Sequence, residues 1–288
     1  MNFLSISDFS HAQIASVFRL VDRFKAGHAL HTLGRKTCIA FFPESSVRTR
    51  ISFEKAVKNL GGDFILFPST TLDKREDHKD LVGYIQNWAD LCVIRHRDFS
   101  VLKRMGESSS VPIINAMTSS NHPCEILSDL YAINSQKGSY SDLVYVFVGA
   151  PGNILFSWIE AARYLGFRIH HVSPEKYRLA DDSEHYSFHA DIHEIIAAAD
   201  VILTDPLPAE LRNEAYYQKY QITQKLMSQA KSRALLNPCP PFQRGEEVSA
   251  DAIDSASFVG YAFKRDLLHV QAAILHHCME NGWKAQTE

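Results

Sequence analysis

The segment Pro43-Glu44-Ser45-Ser46-Val47-Arg48-Thr49-Arg50 sets hydroxyls and two arginines at the point where an extended apolar run gives way to a helical period. A helix N-terminus offers unpaired N–H groups and the positive end of a dipole, so it favours an anion. Ser46, Arg48, Thr49 and Arg50 can add charge-assisted hydrogen bonds to that anion. Phosphate is the natural occupant. Basic groups stand after two further apolar runs: Arg95-His96, and His122 in Ser119-Ser120-Asn121-His122-Pro123-Cys124-Glu125, which opens another helix. Each element alone has an ordinary explanation, as a serine-capped surface helix, a surface Arg-His pair or a His-Pro turn. If the three runs are successive strands of one parallel sheet, their ends share an edge, and Arg48, Arg95 and His122 surround one small anionic ligand.

The elements that must position them alternate along the whole chain. Short β-rich runs bounded by turn residues fall at 37–42, 63–67, 91–94, 111–115, 143–148, 168–172, 201–204 and 234–237. Helical periods fall between them at 48–60, 80–88, 124–134, 156–165, 191–199, 223–229 and 267–281. Such alternation implies an α/β fold, two doubly wound parallel-sheet domains with helices on both faces. The polar, turn-rich stretch 134–142 marks a boundary near mid-chain, giving a first domain over 1–135 and a second over 136–266, with a C-terminal helix at 267–288 packing back on the first. Ligands of such sheets bind at the carboxyl ends of the strands.

Composition limits the partners. With 30 basic and 33 acidic residues among 288, the net charge of -3 provides no general field for nucleic acid or an anionic membrane, so an anion site must be local. The five cysteines are widely spaced without a CxxC pair, which points away from a zinc site and towards free thiols in a reducing compartment. The opening Met1-Asn2-Phe3-Leu4-Ser5-Ile6-Ser7-Asp8 lacks a basic, apolar leader, and no run approaches a membrane span; a cytoplasmic location is expected. Gly149-Ala150-Pro151-Gly152-Asn153 follows a strand as a dinucleotide loop would, yet it has no GxGxxG spacing, and no cofactor is expected.

Six segments in collinear order resemble the aspartate and ornithine carbamoyltransferases, closer to the ornithine type but with a divergent acceptor site. FFPESSVRTRISFEKAVKNLGGDFI resembles their phosphate-binding element and NHPCEILSDLYAI their HPxQ helix. DKREDHKDLVGYIQNWADLCVIRH is similar to the mobile loop and the strand after it, and VFVGAPGNILFSWIEAARYLG to the opening of the acceptor domain. LLNPCPPFQRGEEVSADAID and AFKRDLLHVQAAILHH resemble the late HxxP–RGEEV region and the last helix. The resemblance implies a carbamoyltransferase that moves the carbamoyl group of carbamoyl phosphate to the amine of an ornithine-like or other diamino acid. It implies that the first domain binds carbamoyl phosphate and the second the amino acid. Ser46, Arg48 and Thr49 would hold the phosphate, while Arg95 and His122 approach the carbonyl. Lys74, in the mobile loop, would reach a neighbouring subunit's site in a homotrimer.

The segments also depart from the family pattern. Val47 removes one hydroxyl from the phosphate element and keeps its backbone N–H. Glu125 stands for the glutamine that would face the carbamoyl nitrogen, bringing an acceptor-only carboxylate beside an anionic substrate; this weakens binding unless it is protonated or paired with an arginine. On the acceptor side Asn153 and Asp205 match the ornithine pattern, but Pro206-Leu207-Pro208-Ala209 replaces the SMG expected after the aspartate. Leu207 and Ala209 also take the places of the aspartate enzymes' Arg and Gln. Cys239 and Pro240, in Asn237-Pro238-Cys239-Pro240, stand for HCLP with the cysteine one place late, and Cys239 is expected as a small buried residue. Arg265 matches an arginine that helps bind the carbamoyl oxygen, with Lys264 in place of the preceding asparagine. An alternative reading is a non-catalytic or altered-specificity homologue that binds a phosphorylated ligand.

Overall fold

In the computed structural model, which describes residues 1–282, the chain divides into two compact units. Unit 1 comprises Met1–Ala132 and the chain from Lys264 onward; unit 2 is Ile133–Phe263. The division falls inside two helices rather than in the polar stretch 134–142.

Unit 1 runs through α1 (His11–Lys25), β1 (Thr37–Phe42), α2 (Arg48–Asn59), β2 (Asp63–Pro68), α3 (His78–Ile85), β3 (Leu91–Arg95), α4 (Phe99–Ser108), β4 (Ile113–Met117) and α5 (Pro123–Lys137), which continues into unit 2. Its parallel sheet has the order β2-β1-β3-β4. Central β1 and β3 read as unbroken apolar runs because helices cover both their faces, whereas edge strand β2 alternates and leaves Ile65 and Phe67 exposed. Sequence patterning misses α1 and α4. Both begin at polar caps, Ser10 accepting from the Gln13 amide and Asp98 from the Ser100 amide.

Unit 2 contains β5 (Tyr145–Val148), α6 (Asn153–Leu165), β6 (Ile169–Val172), β7 (Tyr186–His189), β8 (Val201–Thr204), α7 (Glu214–Tyr220), α8 (Gln224–Met227), β9 (Leu235–Pro238), α9 (Ala250–Ile253) and the start of α10 (Gly260–Gly282). Its parallel sheet has the order β7-β6-β5-β8-β9. The helix expected over 191–199 is instead two short 3-10 turns, Ile192–Glu194 and Ile196–Ala198, because Asp191 caps only the first turn. Strand β7, Tyr186-Ser187-Phe188-His189, is no shorter than β5 or β8 but alternates aromatic with polar residues, so it lacks their continuous apolar run. The last helix begins earlier than 267; the end of that expected segment, 283–288, lies outside the described residues. From Lys264 on, α10 packs in unit 1: Asp266 meets Lys25 at 2.8 Å, His277 stacks edgewise on Phe9, and the Cys278 carbonyl accepts from the Met1 ammonium at 3.0 Å.

Each sheet has one place where neighbouring strands continue in opposite directions, between β1 and β3 in unit 1 and between β5 and β8 in unit 2. A crevice opens at the carboxyl ends of strands at such switch points.

Candidate active site

Unit 1 brings its candidate residues together at the β1/β3 switch point. Beyond β1 the chain turns through a Ser46 amide bond to the Pro43 carbonyl, 2.9 Å, and enters α2. Val47, at the cap position, supplies no side-chain hydrogen bond, so the first turn of α2 presents its backbone N–H groups without a competing side-chain acceptor. Arg95 ends β3, directly beside β1 in the sheet. Its Nη1 donates to Ser46 Oγ at 3.1 Å and to Thr49 Oγ1 at 3.4 Å. Ser46 and Thr49 are buried, while Arg48 and the Val47 side chain are exposed at the rim. The guanidinium thus lies against the helix start with its hydroxyl partners fixed.

His122 arrives from the loop after β4 and is 6% exposed. Burial holds its imidazole down at about 4, against an opposing pull from Glu125, with Arg95 and Lys264 pushing the same way as burial. At neutral pH it is an uncharged ring whose N–H can donate without adding a cation. Glu125, one turn along α5 and 5% exposed, is bonded by the Lys264 ammonium, which also reaches Asp129 Oδ1 at 3.1 Å. Burial opposes ionisation of Glu125, but Lys264, then His122 and Arg48, outweigh it, and the carboxyl sits below its usual range. Since His122 is uncharged near neutrality, Lys264 is the cation that dominates there. The carboxylate expected to need protonation or an arginine is therefore paired with a lysine.

Two further candidates are exposed on the surface of unit 1. Lys74 is exposed just beyond the 3-10 turn Ser69–Asp73, and Arg265 is exposed on α10 next to the inward-reaching Lys264. A cavity of about 270 Å³ adjoins the cluster, lined by Arg95, Arg97, Ser69, Thr70 and Thr118 among others, with His96 fixed by Asp73 at 3.1 Å.

Unit 2 gathers its candidates at its own switch point. Gly149 follows β5 with φ +146, a conformation that disfavours a side chain. Asn153 opens α6, and Asp205 follows β8; a Cβ on Gly152 would lie 3.3 Å from Asp205 Oδ2, so the bare glycine backbone lets the carboxylate approach the helix start. Beyond β9, the Cys239 amide donates to the Thr204 carbonyl at 2.9 Å, tying the Cys239-Pro240 turn to β8. Cys239 is half-buried, not buried as expected, because it lies past the end of its strand. Leu207 is 1% exposed in the apolar core of unit 2, so it presents no polar group to a ligand. Among the described residues no group of three or more His, Cys, Asp or Glu is arranged to hold a metal ion.

The family model described as aspartate/ornithine carbamoyltransferase, carbamoyl-P binding domain, matches residues 1–135, and its Asp/Orn binding companion matches 141–278. The chain belongs to the aspartate/ornithine carbamoyltransferase family. It is 32% identical over 292 residues to an ornithine carbamoyltransferase of Burkholderia lata, covering 95% of this chain and 94% of that one. Its fold is similar to the ornithine carbamoyltransferase of Burkholderia thailandensis, with a TM-score of 0.86, 31% identity and coverage of 95% and 97%. It is also similar to that of Pyrococcus furiosus, with a TM-score of 0.86 and 26% identity over 95% of each chain.

In this carbamoyltransferase chain, sequence reasoning missed supports more than it missed candidates. In the sequence Lys264 stands out only as a departure from the family pattern, and no local pattern connects it to Glu125, 139 residues away. The loop carrying His122 is pinned by Asn121, whose Oδ1 accepts from Asn115 at 2.7 Å and Thr118 at 2.8 Å, and whose Nδ2 donates to the Leu4 carbonyl at 3.0 Å. In unit 2 the buried His171 donates from Nε2 to the Gly149 carbonyl at 2.9 Å while Nδ1 accepts from the Tyr186 hydroxyl at 3.0 Å, a tautomer set by those partners. Burial holds this imidazole down at about 4, so it remains neutral in that role.

Proposed function

We propose that the chain catalyses carbamoyl transfer from carbamoyl phosphate to the side-chain amine of an ornithine-like diamino acid, with Ser46, Arg48, Thr49, Arg95 and His122 as the carbamoyl phosphate site. The observation that carries this reading is the Arg95 guanidinium bonded to Ser46 and Thr49 at the start of α2, which has no side-chain cap. Phosphate oxygens take the α2 amides, Ser46 and Arg48. Arg95, Thr49 and neutral His122 donate to the carbonyl oxygen. As the amine nitrogen bonds to the carbonyl carbon, charge builds on that oxygen, and donors fixed beforehand stabilise it more than they stabilise the ground state. The C–O bond to phosphate then breaks, and the proton lost by the amine leaves with the phosphate or to solvent. No covalent enzyme intermediate is required.

Asn153, Asp205, Cys239 and Pro240 in unit 2 are assigned to the amino-acid end of the acceptor. A carboxylate and an amide suit an α-amino group, and the apolar burial of Leu207 argues against a second acidic group on the acceptor. Arg265 is assigned to the carbamoyl oxygen, and Val47 contributes backbone alone. The domain roles follow the residue sets: 1–135 with the 267–288 helix for carbamoyl phosphate, 136–266 for the amino acid. The exposed Lys74 supports a homotrimer in which this loop enters a neighbour's site, and the five cysteines, none of them in a disulfide, suit a reducing cytoplasm. No described helix is long and apolar enough to cross a membrane.

Incubation with carbamoyl phosphate and a panel of ornithine, lysine, shorter diamino acids and aspartate tests the reading. Equal amounts of ureido product and phosphate with a diamino acid are expected, and none above background with aspartate. No ureido product with any amine, despite carbamoyl phosphate binding, would overturn it.

A further inference from the structure

Glu125 on α5 and Lys264 on α10 are drawn away from solvent together, their side chains 6% and 19% exposed. The ammonium bonds Glu125 Oε1 and Asp129 Oδ1, which lies one turn further along α5. One carboxylate is enough to neutralise one ammonium, and Asp129 already supplies it. The second carboxylate adds negative charge where Arg48 and His122 face it, in the part of unit 1 assigned to an anion. Burying this second carboxylate costs desolvation, and Lys264 already has a carboxylate partner without it, which points to the Glu125 carboxylate as a ligand group. The lysine engages Oε1. Glu125 is acceptor-only, and the amide nitrogen is the one atom of fully ionised carbamoyl phosphate that carries hydrogens.

We infer that Lys264 is a positioning residue for the carbamoyl group: by gripping Glu125 Oε1 it aims the other carboxylate oxygen at the carbamoyl NH2, and the two side chains act as one unit that reads the amide. This rests on the carbamoyl phosphate reading of unit 1. It accounts for two departures from the family pattern at once, a glutamine exchanged for Glu125 and an asparagine for Lys264, since the added charges cancel. Removing the lysine alone leaves Glu125 buried beside Asp129 on its own helix, His122 in the loop just before that helix and Arg48 on α2. Without its ammonium partner, that carboxyl takes up a proton closer to neutral pH.

The test is calorimetric titration of the full chain with carbamoyl phosphate from pH 6 to 8.5, for wild type, Lys264→Asn, Glu125→Gln and the double variant. At pH 8 Lys264→Asn is expected to bind about 30-fold more weakly, and the double variant to recover to within about fivefold of wild type. The affinity of Lys264→Asn rises again as the pH falls and Glu125 is neutralised, whereas the double variant shows no such limb. Lys264→Asn binding like wild type at every pH, or a double variant as weak as Lys264→Asn, would overturn the inference. Lys264→Arg guards against a variant that does not fold: it keeps the charge but displaces the carboxylate, so about tenfold weaker binding at an unchanged melting temperature is expected. Wild-type affinity in that variant would count against positioning. Turnover separates the two readings: a wild type that binds but never transfers refutes the reaction alone, and a failed cycle in an active wild type refutes the Lys264 role alone.

Discussion

Arg95 carries the most weight in the proposed chemistry, and Arg95→Lys is the sharpest perturbation of it. Lysine keeps the positive charge but loses the planar fork: an ammonium that took over the bonds to Ser46 Oγ and Thr49 Oγ1, 3.1 and 3.4 Å from Nη1, would have a single N–H left for a ligand, whereas the guanidinium has its Nη2 and Nε donors besides. A charge-assisted hydrogen bond contributes about 1.5–3 kcal/mol. With two such bonds to the ligand lost and the ammonium recovering part of them, the net loss is about 2.7 kcal/mol, or roughly 100-fold. The missing donors act chiefly on the oxygen where charge develops, so the loss should fall mainly on kcat, with KM for carbamoyl phosphate rising only severalfold. Steady-state assays at saturating amine, varying carbamoyl phosphate, read both constants. Arg95→Met, which also removes the charge, should lose about tenfold to 100-fold more. An Arg95→Lys enzyme within threefold of wild type, or one whose defect lies wholly in the KM of the amine, would refute the role given to the guanidinium.

Gly152→Ala should raise the KM of the amino acid severalfold and leave that of carbamoyl phosphate unchanged. Its φ of -161 accepts a side chain, but the new Cβ would sit 3.3 Å from Asp205 Oδ2 and push the carboxylate aside; steady-state kinetics with each substrate varied checks this. The fold should also be acid-sensitive. Burial is the largest cause holding His122, His170 and His171 at about 4, below the ordinary 6.5. Between those values the unfolded chain binds more protons than the folded one, so stability is fully present above pH 6.5 and is lost as the pH falls towards 4. Each fully buried imidazole contributes on the order of 3 kcal/mol at most. Thermal melts at pH 7.5, 6 and 5 should show the midpoint falling, and a melt independent of pH would contradict the assignment.

Most strand positions were legible because the central strands of both sheets are continuous apolar runs whose ends are marked by polar residues. β1 and β8 begin and end where the pattern puts them. The run at 111–115 shows the limit of that signal: the strand is Ile113–Met117, the stretch paired with β3, and on its other side the Phe3 amide donates to the Ile113 carbonyl at 3.0 Å and the Asn115 amide to the Phe3 carbonyl at 2.8 Å. An apolar run cannot announce a partner more than a hundred residues distant. The same holds at the site. Arg95, Ser46 and Thr49 were readable because each follows or ends a strand, and parallel topology sends those ends to one edge. Lys264 lies inside a helix far along the chain, and only the tertiary packing of α10 in unit 1 turns it, rather than Arg265, towards Glu125.

The charges of that cluster explain why His122 is better neutral. Arg48, Arg95 and Lys264 bring three positive charges, Glu125 and Asp129 two negative ones, so the set carries one net positive charge while His122 is uncharged. A protonated His122 would double that excess, gripping a phosphate more firmly in the ground state and in the transition state alike, which does not speed the chemical step. In the proposed site an uncharged N–H would give its hydrogen bond to the carbonyl oxygen where charge appears during transfer, and would strengthen as that charge grows. On this proposal, the burial that makes the histidine an acid-sensitive weak point of the fold also directs its contribution to the moment of transfer.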